Sequence, residues 1–279
     1  MNLITKSTMQ TLRNILYFLS ICCMLLFVSC SNQRTETKES QTSENAQQAK
    51  PTAQNSSPQY RIFMDIAHNQ KFWNDPASME GQDANQVERV KYMTSEIVKN
   101  ATALDAELVY LKEEIQPDHL ANCDLLFIHI PSTKYSPGEI EAITQYLRNG
   151  GALFLAMDVD YWSTLAQTHV NDIIRPFDIQ FGSQSPDTLS GGYTKTGLIT
   201  NEALKIPYHG GRIVKGGTPF CFSKQTEAYP FGTFTTLDNG GKIVVMGDGM
   251  VSLYMTSWQG VDDYQCGEFM HDVFQWLLE

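Results

Sequence analysis

Hydrophobic and polar positions along residues 59–279 follow two alternating patterns, one typical of strands and one of helices. Residues 85–101 carry apolar side chains at helical spacing, which predicts an amphipathic helix. Short apolar runs rich in strand-forming residues lie before and after this segment, and the later ones are almost continuously apolar, as in strands covered on both faces. The predicted strands are residues 60–68, 106–113, 123–131 and 152–160.

The strongest helix signal is the segment "SPGEIEAITQYLRNGG". Ser136 is placed to cap the helix, Pro137 suits the first helical position, and Glu139 completes a capping box with Ser136. Gly150 or Gly151 is expected to end the helix, because glycine readily adopts the left-handed conformation found there.

Strands that alternate with helices predict right-handed crossovers and a parallel sheet. The pattern changes after a predicted helix at residues 163–174. Residues 233–237 and 242–246, joined by "DNGG", predict a hairpin with a primed turn, and residues 264–279 predict a terminal helix. The predicted fold class is therefore α/β, with a three-layer, doubly wound, mostly parallel sheet and antiparallel additions near the C-terminus.

The N-terminal segment has the plan of a signal peptide: Lys6 and Arg13 precede an apolar run over residues 15–28. About 14 apolar residues are short of the roughly 20 that cross a bilayer. The run ends in "FVSC", which resembles a lipobox, so we expect residues 1–29 to be removed and Cys30 to carry lipid. An ordinary cleaved signal is the alternative.

The following stretch to residue 58 contains no aromatic residue and no Val, Ile, Leu or Met. Because it has no apolar side chains to bury, residues 30–58 are predicted to be a disordered tether, and residues 59–279 a single α/β domain. Lipid on Cys30 would attach the domain to the outer membrane of the bacterial cell envelope, on its periplasmic or surface face.

Charge excludes one class of partner. The whole chain has a net charge of −11, and loss of the two basic residues in 1–29 makes it −13. Nucleic-acid phosphates would repel such a surface, so no DNA or RNA partner is expected. Cys123, Cys221 and Cys266 lack metal-finger spacing. We expect buried thiols, with a disulfide between Cys221 and Cys266 as the alternative.

The order of elements from "CDLLFIHIP" through "RNGGALFLAMD" to "VVMGDG" resembles the class I glutamine amidotransferase-like superfamily. The closest part is the non-catalytic branch that contains the GIFT domain and uncharacterised bacterial lipoproteins. Enzymes of the superfamily place a reactive cysteine after the strand that matches "ALFLAMD", residues 152–158. Residues 154–160 contain no cysteine, and "MGDGMVSLY" contains no H-x-E. The resemblance therefore implies the fold without glutaminase activity.

In such sheets, ligands bind outside the carboxyl ends of the strands. Polar and aromatic side chains follow four predicted strands and are the candidate ligand contacts: His68, Asn69, Gln70, Trp73, Ser132, Asp158, Asp160 and Asp248. The mixture of amides and aromatic rings around His68 suits a sugar. Capping and turn formation are the alternative roles for the aspartates.

We therefore expect a binding or assembly domain for a carbohydrate or a partner protein, with no cofactor, no resident metal and no catalytic residues. The alternative is a hydrolase acting on a glycan or a related polar substrate through Asp158, Asp248 and His68. In that alternative Asp158, Asp160 and His68 could hold a divalent ion. The glycine-rich segments "SGGY" and "HGGRIVKGGTPF" lack the order of a phosphate-binding loop, so loop geometry is the expected reason for them.

Overall fold

The computed structural model describes residues 57–279. The predicted signal peptide, Cys30 and the predicted tether up to residue 56 lie outside the described residues. Within residues 57–279, no helix combines the length and the apolar character needed to cross a bilayer.

Eleven strands and six α-helices form in the described part of the chain. The strands are β1 (Tyr60–Asp65), β2 (Ala106–Leu111), β3 (Leu125–His129), β4 (Ala152–Ala156), β5 (Gln180–Gln184), β6 (Gly192–Thr194), β7 (Lys205–Ile206), β8 (Arg212–Lys215), β9 (Thr218–Ser223), β10 (Gly232–Thr236) and β11 (Lys242–Met246). The helices are α1 (Ala84–Ala103), α2 (Pro117–Leu120), α3 (Pro137–Arg148), α4 (Leu165–Thr168), α5 (Val170–Ile174) and α6 (Cys266–Leu278).

Nine strands form one mixed sheet in the order β2-β1-β3-β4-β11-β10-β9-β6-β7. The five strands from β2 to β11 are parallel to their neighbours. From β11 onward the pairs are antiparallel, while β5 and β8 pair separately. The predicted α/β class is confirmed as a mixed sheet with a parallel core and antiparallel strands added on one side.

Helices cover both faces of the parallel core, as the apolar runs of β3 and β4 predict. Successive side chains of β3 point to opposite faces, so Phe127 packs in the core under α1 and α6 while Ile128 packs in the core under α3 and α5. Both side chains are fully buried, and each such burial contributes about 1.5–3 kcal/mol.

The capping box of α3 is confirmed. The Ser136 hydroxyl accepts a hydrogen bond from the Glu139 N–H (3.3 Å), and the Glu139 carboxylate accepts one from the Ser136 N–H (2.9 Å). Two local predictions are wrong. The helix at residues 163–174 divides into α4 and α5 because His169 has a φ of 62°. The β10–β11 turn is not primed, since Gly240 alone among residues 238–241 has a positive φ.

Two glycines allow the backbone before β8 to cross directly against the backbone after β11. The Arg212 N–H donates a hydrogen bond to the Gly247 carbonyl (2.6 Å). A Cβ atom on Gly211 would lie 2.1 Å from that carbonyl oxygen, and one on Gly247 would lie 2.0 Å from the Arg212 oxygen. Close approach of two backbones is therefore the reason for Gly211 in "HGGR", while Gly210 has a φ of 101°, which also agrees with the expected loop geometry.

Substitution of Gly211 tests this crossing. We expect Gly211→Ala to lower the free energy of unfolding by about 1–3 kcal/mol, because the new methyl group must push two backbone segments apart. Gly267→Ala is the control, since its Cβ has open space on α6, and it is expected to raise stability by about 0.5–1 kcal/mol. Denaturant unfolding of the two variants checks the difference, and equal stabilities would contradict it.

Candidate functional site

Two aspartates follow neighbouring parallel strands at the carboxyl edge of the sheet. Asp158 comes two residues after β4 and Asp248 two residues after β11, and these strands pair in register. Asp158 is 2 % exposed and Asp248 is fully buried. The structure therefore brings together two of the predicted site residues, as the meeting of strand ends requires.

His209, in the loop between β7 and β8, lies between the two carboxylates. Its Nδ1 is 2.7 Å from Asp248 Oδ2, and its backbone N–H donates to the same oxygen (2.9 Å). Its Nε2 is 3.6 Å from Asp158 Oδ1. We call Asp158, His209 and Asp248 the Asp–His–Asp cluster.

Sequence reasoning missed His209, although it considered the segment "HGGR" for its glycines. The signal that points to His209 is this pair of glycines, which brings its loop against the residues after β11. Nothing in the local sequence indicates that the loop meets Asp248, because His209 and Asp248 are 39 residues apart along the chain.

Backbone N–H groups hold both carboxylates in place. Asp158 accepts hydrogen bonds from Val159 N (2.7 Å) and Gly249 N (3.1 Å), and Asp248 accepts one from Met250 N (2.9 Å). These bonds fix the carboxylate directions without using a second charged side chain. Each carboxylate is thus oriented by rigid strand-end backbone.

Burial and mutual charge shift the pKa values of the cluster. Burial and the charge of Asp248 raise the pKa of Asp158 to about 7, against the opposing effect of His209. Burial alone lowers the pKa of His209, but the hydrogen bond that it donates to Asp248 and the charges of both aspartates outweigh it and raise the pKa to about 9. The cluster can therefore accept hydrogen bonds, exchange protons near neutral pH or attract a cation.

Aromatic rings lie close to the cluster along the same edge. Trp258 stands edge-on to His209, with ring centroids 6.5 Å apart, and is partly exposed. Tyr161, 83 % exposed, contacts Trp162, which in turn contacts Phe72. Carboxylates beside partly exposed aromatic rings are a common setting for polar ligands.

A strained residue lies next to the cluster. Ile130, directly after β3, has a φ of 45°, which is rare for a β-branched residue. Its Cδ1 lies so near Gly249 that a Cβ there would be 2.7 Å away, and Gly249 holds Asp158 through its N–H. Backbone strain of this kind is concentrated at functional sites.

Asp160 lies apart from the cluster. It forms an ion pair with the buried Arg212 and accepts a hydrogen bond from Gln184 (3.3 Å). The Asp160 side chain is half-exposed, so it neutralises Arg212 at the surface instead of completing a set with Asp158.

His68 also lies apart from Asp158, in a buried network with Asp65, Tyr135 and Glu139. Its Nδ1 is 2.9 Å from Asp65 Oδ2 and its Nε2 is 3.1 Å from Glu139 Oε1. Tyr135 stacks on the imidazole ring at 3.8 Å and donates its hydroxyl hydrogen to Asp65. We call these four residues the His68 network. Both ring nitrogens of His68 have partners within it.

The remaining predicted contacts surround the loop after β1. Asn69 Nδ2 donates to Ser132 Oγ (3.0 Å), and Ser132 Oγ donates to the Asn69 carbonyl (2.6 Å). Trp73 is buried edge-on to Phe127 in the core. Gln70 is buried, and its amide atoms have no hydrogen-bond partner within the described residues. The structure thus uses most of this set to close the loop over the sheet.

The cysteines of the described part are free and buried, so the alternative of a Cys221–Cys266 disulfide is wrong. Cys221 packs within β9 and Cys266 starts α6, where its thiol donates to the Met255 carbonyl (3.3 Å). Burial raises the pKa of Cys123 and Cys266 to about 12. None of the three follows β4, where the resembling enzymes place their nucleophile.

A surface cavity of about 690 Å³ lies at the opposite, amino edge of the sheet. Its lining includes Asp124, Gly151 and Lys242, which precede or begin β3, β4 and β11. Sheets of this type bind ligands at the carboxyl ends of their strands. The Asp–His–Asp cluster lies at those carboxyl ends and is therefore the better candidate for a ligand site.

Comparison with known proteins supports the fold. The family model of the IFT52 GIFT domain matches residues 88–190, from within α1 to the residue two before β6. No curated protein matches the chain. The mmIFT52 N-terminal domain is similar over 78 % of this chain and 96 % of its own, with 19 % identity and a TM-score of 0.54.

Two bacterial structures are also similar. A cytoplasmic protein from Salmonella typhimurium covers 78 % of this chain and 97 % of its own, with 12 % identity and a TM-score of 0.51. A ThuA-like protein from Bacteroides uniformis covers 82 % and 95 %, with 11 % identity and a TM-score of 0.47. The chain therefore shares the α/β fold of the mmIFT52 N-terminal domain and of the Salmonella protein.

The His68 network predicts how stability depends on pH. Burial alone lowers the pKa of His68, but Asp65 and Glu139 outweigh burial and raise this pKa above 6.5. Burial alone raises the pKa of Glu139, but the backbone hydrogen bonds that Glu139 accepts and the charge of His68 lower this pKa below 4.5. The His68 contribution is lost as pH rises through its folded pKa, and the Glu139 contribution as pH falls through its own.

We therefore expect the stabilisation from the network to be complete between about pH 4.5 and 6.5 and to decline on either side. Denaturant unfolding of the wild-type protein and of His68→Gln from pH 4 to 9 measures it as the difference between the two curves. A difference that stays constant above pH 6.5 would show that His68 is neutral in the folded protein.

Proposed function

We propose that this chain is a lipid-anchored, non-catalytic binding domain of the bacterial cell envelope, and that the Asp–His–Asp cluster is the polar centre of a carbohydrate site. The observation that carries the proposal is the placement of two oriented, buried carboxylates and His209 beside the partly exposed ring of Trp258. Sugar hydroxyls donate to carboxylates, and sugar rings pack on aromatic faces.

The fold supports binding or assembly. The family whose model matches residues 88–190 is the GIFT domain of IFT52, and the segment after β4 carries Asp158 and no cysteine. The resemblance therefore favours a role without glutaminase chemistry. A partner protein in place of a carbohydrate is the competing ligand.

Attachment to the membrane rests on residues 1–30. The apolar run that ends in "FVSC" supports removal of a signal peptide and acylation of Cys30. Attachment by two or more acyl chains would be stable, whereas a single chain holds weakly.

Replacement of Cys30 tests the anchor. We expect Cys30→Ser to abolish incorporation of radiolabelled palmitate and to move the protein from the membrane fraction to the soluble fraction, because no thiol remains to be acylated. Cys123→Ser is the control, since that cysteine is buried in the domain. Unchanged labelling of Cys30→Ser would contradict lipid attachment at this residue.

Glycan binding tests the site. On an array of envelope glycans, we expect the protein to bind, and Trp258→Ala to bind about threefold to tenfold more weakly, because loss of a stacking ring costs roughly 0.5–1.5 kcal/mol. Tyr229→Ala is the matched control, since Tyr229 lines a separate surface cavity with residues 213–219. Equal loss in both variants, or no glycan bound by the wild-type protein, would contradict a carbohydrate site.

A second candidate is a hydrolase that acts on a glycan. The observation that favours it is the line from Asp248 through His209 to Asp158, in which one carboxylate orients the imidazole and the other faces it. In this candidate, His209 would replace His68, which the sequence analysis named as the third hydrolase residue with Asp158 and Asp248. The array separates the two candidates: a hydrolase cleaves its bound glycan and loses turnover on Asp158→Asn, whereas a binding domain leaves the glycan intact.

A further inference from the structure

We propose that Asp158 and His209 bind a divalent transition-metal ion, with Asp248 as the carboxylate that holds His209, and that Zn²⁺ and Mn²⁺ fit these donors best. The proposal deepens the proposed function, because it names an ion at the centre of the same site. Each residue offers one ligand atom, and these atoms lie within 4.8 Å of one another. The sequence predicted no metal, since the set is complete only with His209.

The gap between His209 and Asp158 has the size of a metal ion. His209 Nε2 and Asp158 Oδ1 are 3.6 Å apart, too far for a hydrogen bond. Within the described chain, Nε2 makes no hydrogen bond, although it faces a carboxylate. Two ligand atoms that each lie about 2.0–2.2 Å from a tetrahedral ion are roughly 3.4 Å apart. An ion between these two atoms would therefore need little movement of either side chain.

The second ring nitrogen has the partner that metal-binding histidines need. With Nδ1–H donating to Asp248 Oδ2 at 2.7 Å, Nε2 is the ring nitrogen that faces the gap, and its lone pair is available to an ion that displaces its proton. A carboxylate that holds the other N–H fixes the tautomer and strengthens the imidazole as a ligand. Asp248 therefore acts as the outer carboxylate that holds His209, with its Oδ1 accepting the backbone N–H of Met250, and its charge adds to the attraction for a cation.

Charge balance also favours a cation. Asp158 and Asp248 are almost fully buried, and among the described residues no lysine or arginine forms an ion pair with either. The nearby Arg212 is paired with Asp160. A divalent ion with a neutral imidazole would cancel both carboxylate charges, whereas buried charges left in excess are costly.

The donor set selects the class of ion. A carboxylate oxygen and an imidazole nitrogen, with a second carboxylate holding the imidazole, suit Zn²⁺ or Mn²⁺, while Ca²⁺ requires six to eight oxygens. Two protein ligands leave two or more coordination positions free. Since the His209 side chain is 21 % exposed, these positions would face solvent beside Trp258, where an oxygen of a ligand can complete the coordination.

Metal titration of the full chain tests the proposal. After chelator treatment and dialysis, we expect isothermal titration calorimetry to show one equivalent of Zn²⁺ or Mn²⁺ bound and no saturable Ca²⁺ binding. His209→Gln and Asp158→Asn should each weaken binding roughly tenfold or more. His169→Gln is the matched control, because His169 also lies beside an aspartate, Asp172, but at a half-exposed position; its affinity should equal that of the wild type.

A second measurement needs no variant. Co²⁺ added to the wild-type protein should give visible absorption bands of a tetrahedral or five-coordinate site, and Zn²⁺ should remove them. Equal metal affinity in wild type and His209→Gln, or a cobalt spectrum identical to that of the hydrated ion, would overturn the proposal. If no metal binds and glycan binding persists in chelator, the metal proposal is overturned and the carbohydrate site stands. If the metal binds and no glycan does, the metal site stands and the carbohydrate proposal is contradicted.

Discussion

The candidate site depends on one backbone contact, the crossing of the segment before β8 with the segment after β11. The hydrogen bond from Arg212 N to Gly247 O and the absence of side chains on Gly211 and Gly247 let the two segments touch. This contact places His209 over Asp248 and opposite Asp158. Without it, two buried carboxylates would face each other with no imidazole between them.

The same contact joins the two halves of the sheet. β11 is parallel to β4 on one side and antiparallel to β10 on the other. Asp158 and Asp248 come from the parallel half, where strand ends converge, whereas His209 comes from the loops that accompany the antiparallel additions. The site is therefore built where the parallel core of the sheet meets the antiparallel strands added to it.

Much of this architecture could be predicted from sequence, because local chemistry determines it. The capping box at Ser136 and Glu139 and the apolar runs of β3 and β4 follow from patterns within a few residues. The meeting of Asp158 with Asp248 follows from their places after parallel strands, whose carboxyl ends share one edge of the sheet. His68 and His209 could not be separated in this way. Each histidine lies close to the end of a strand in the sequence. Only tertiary contacts place His68 between two carboxylates in the core and His209 at a partly exposed position at the edge of the sheet.

The position of β11 also affects how the chain reaches this structure. Until residues 232–246 have been synthesised and docked, β4 has a partner on one side only, and its other edge is a row of free backbone groups flanked by apolar side chains. Such an edge readily pairs with other chains, and the late, non-local pairing that closes it is slow. Export with delayed folding, or a chaperone that shields this strand, would keep newly made molecules from associating through it.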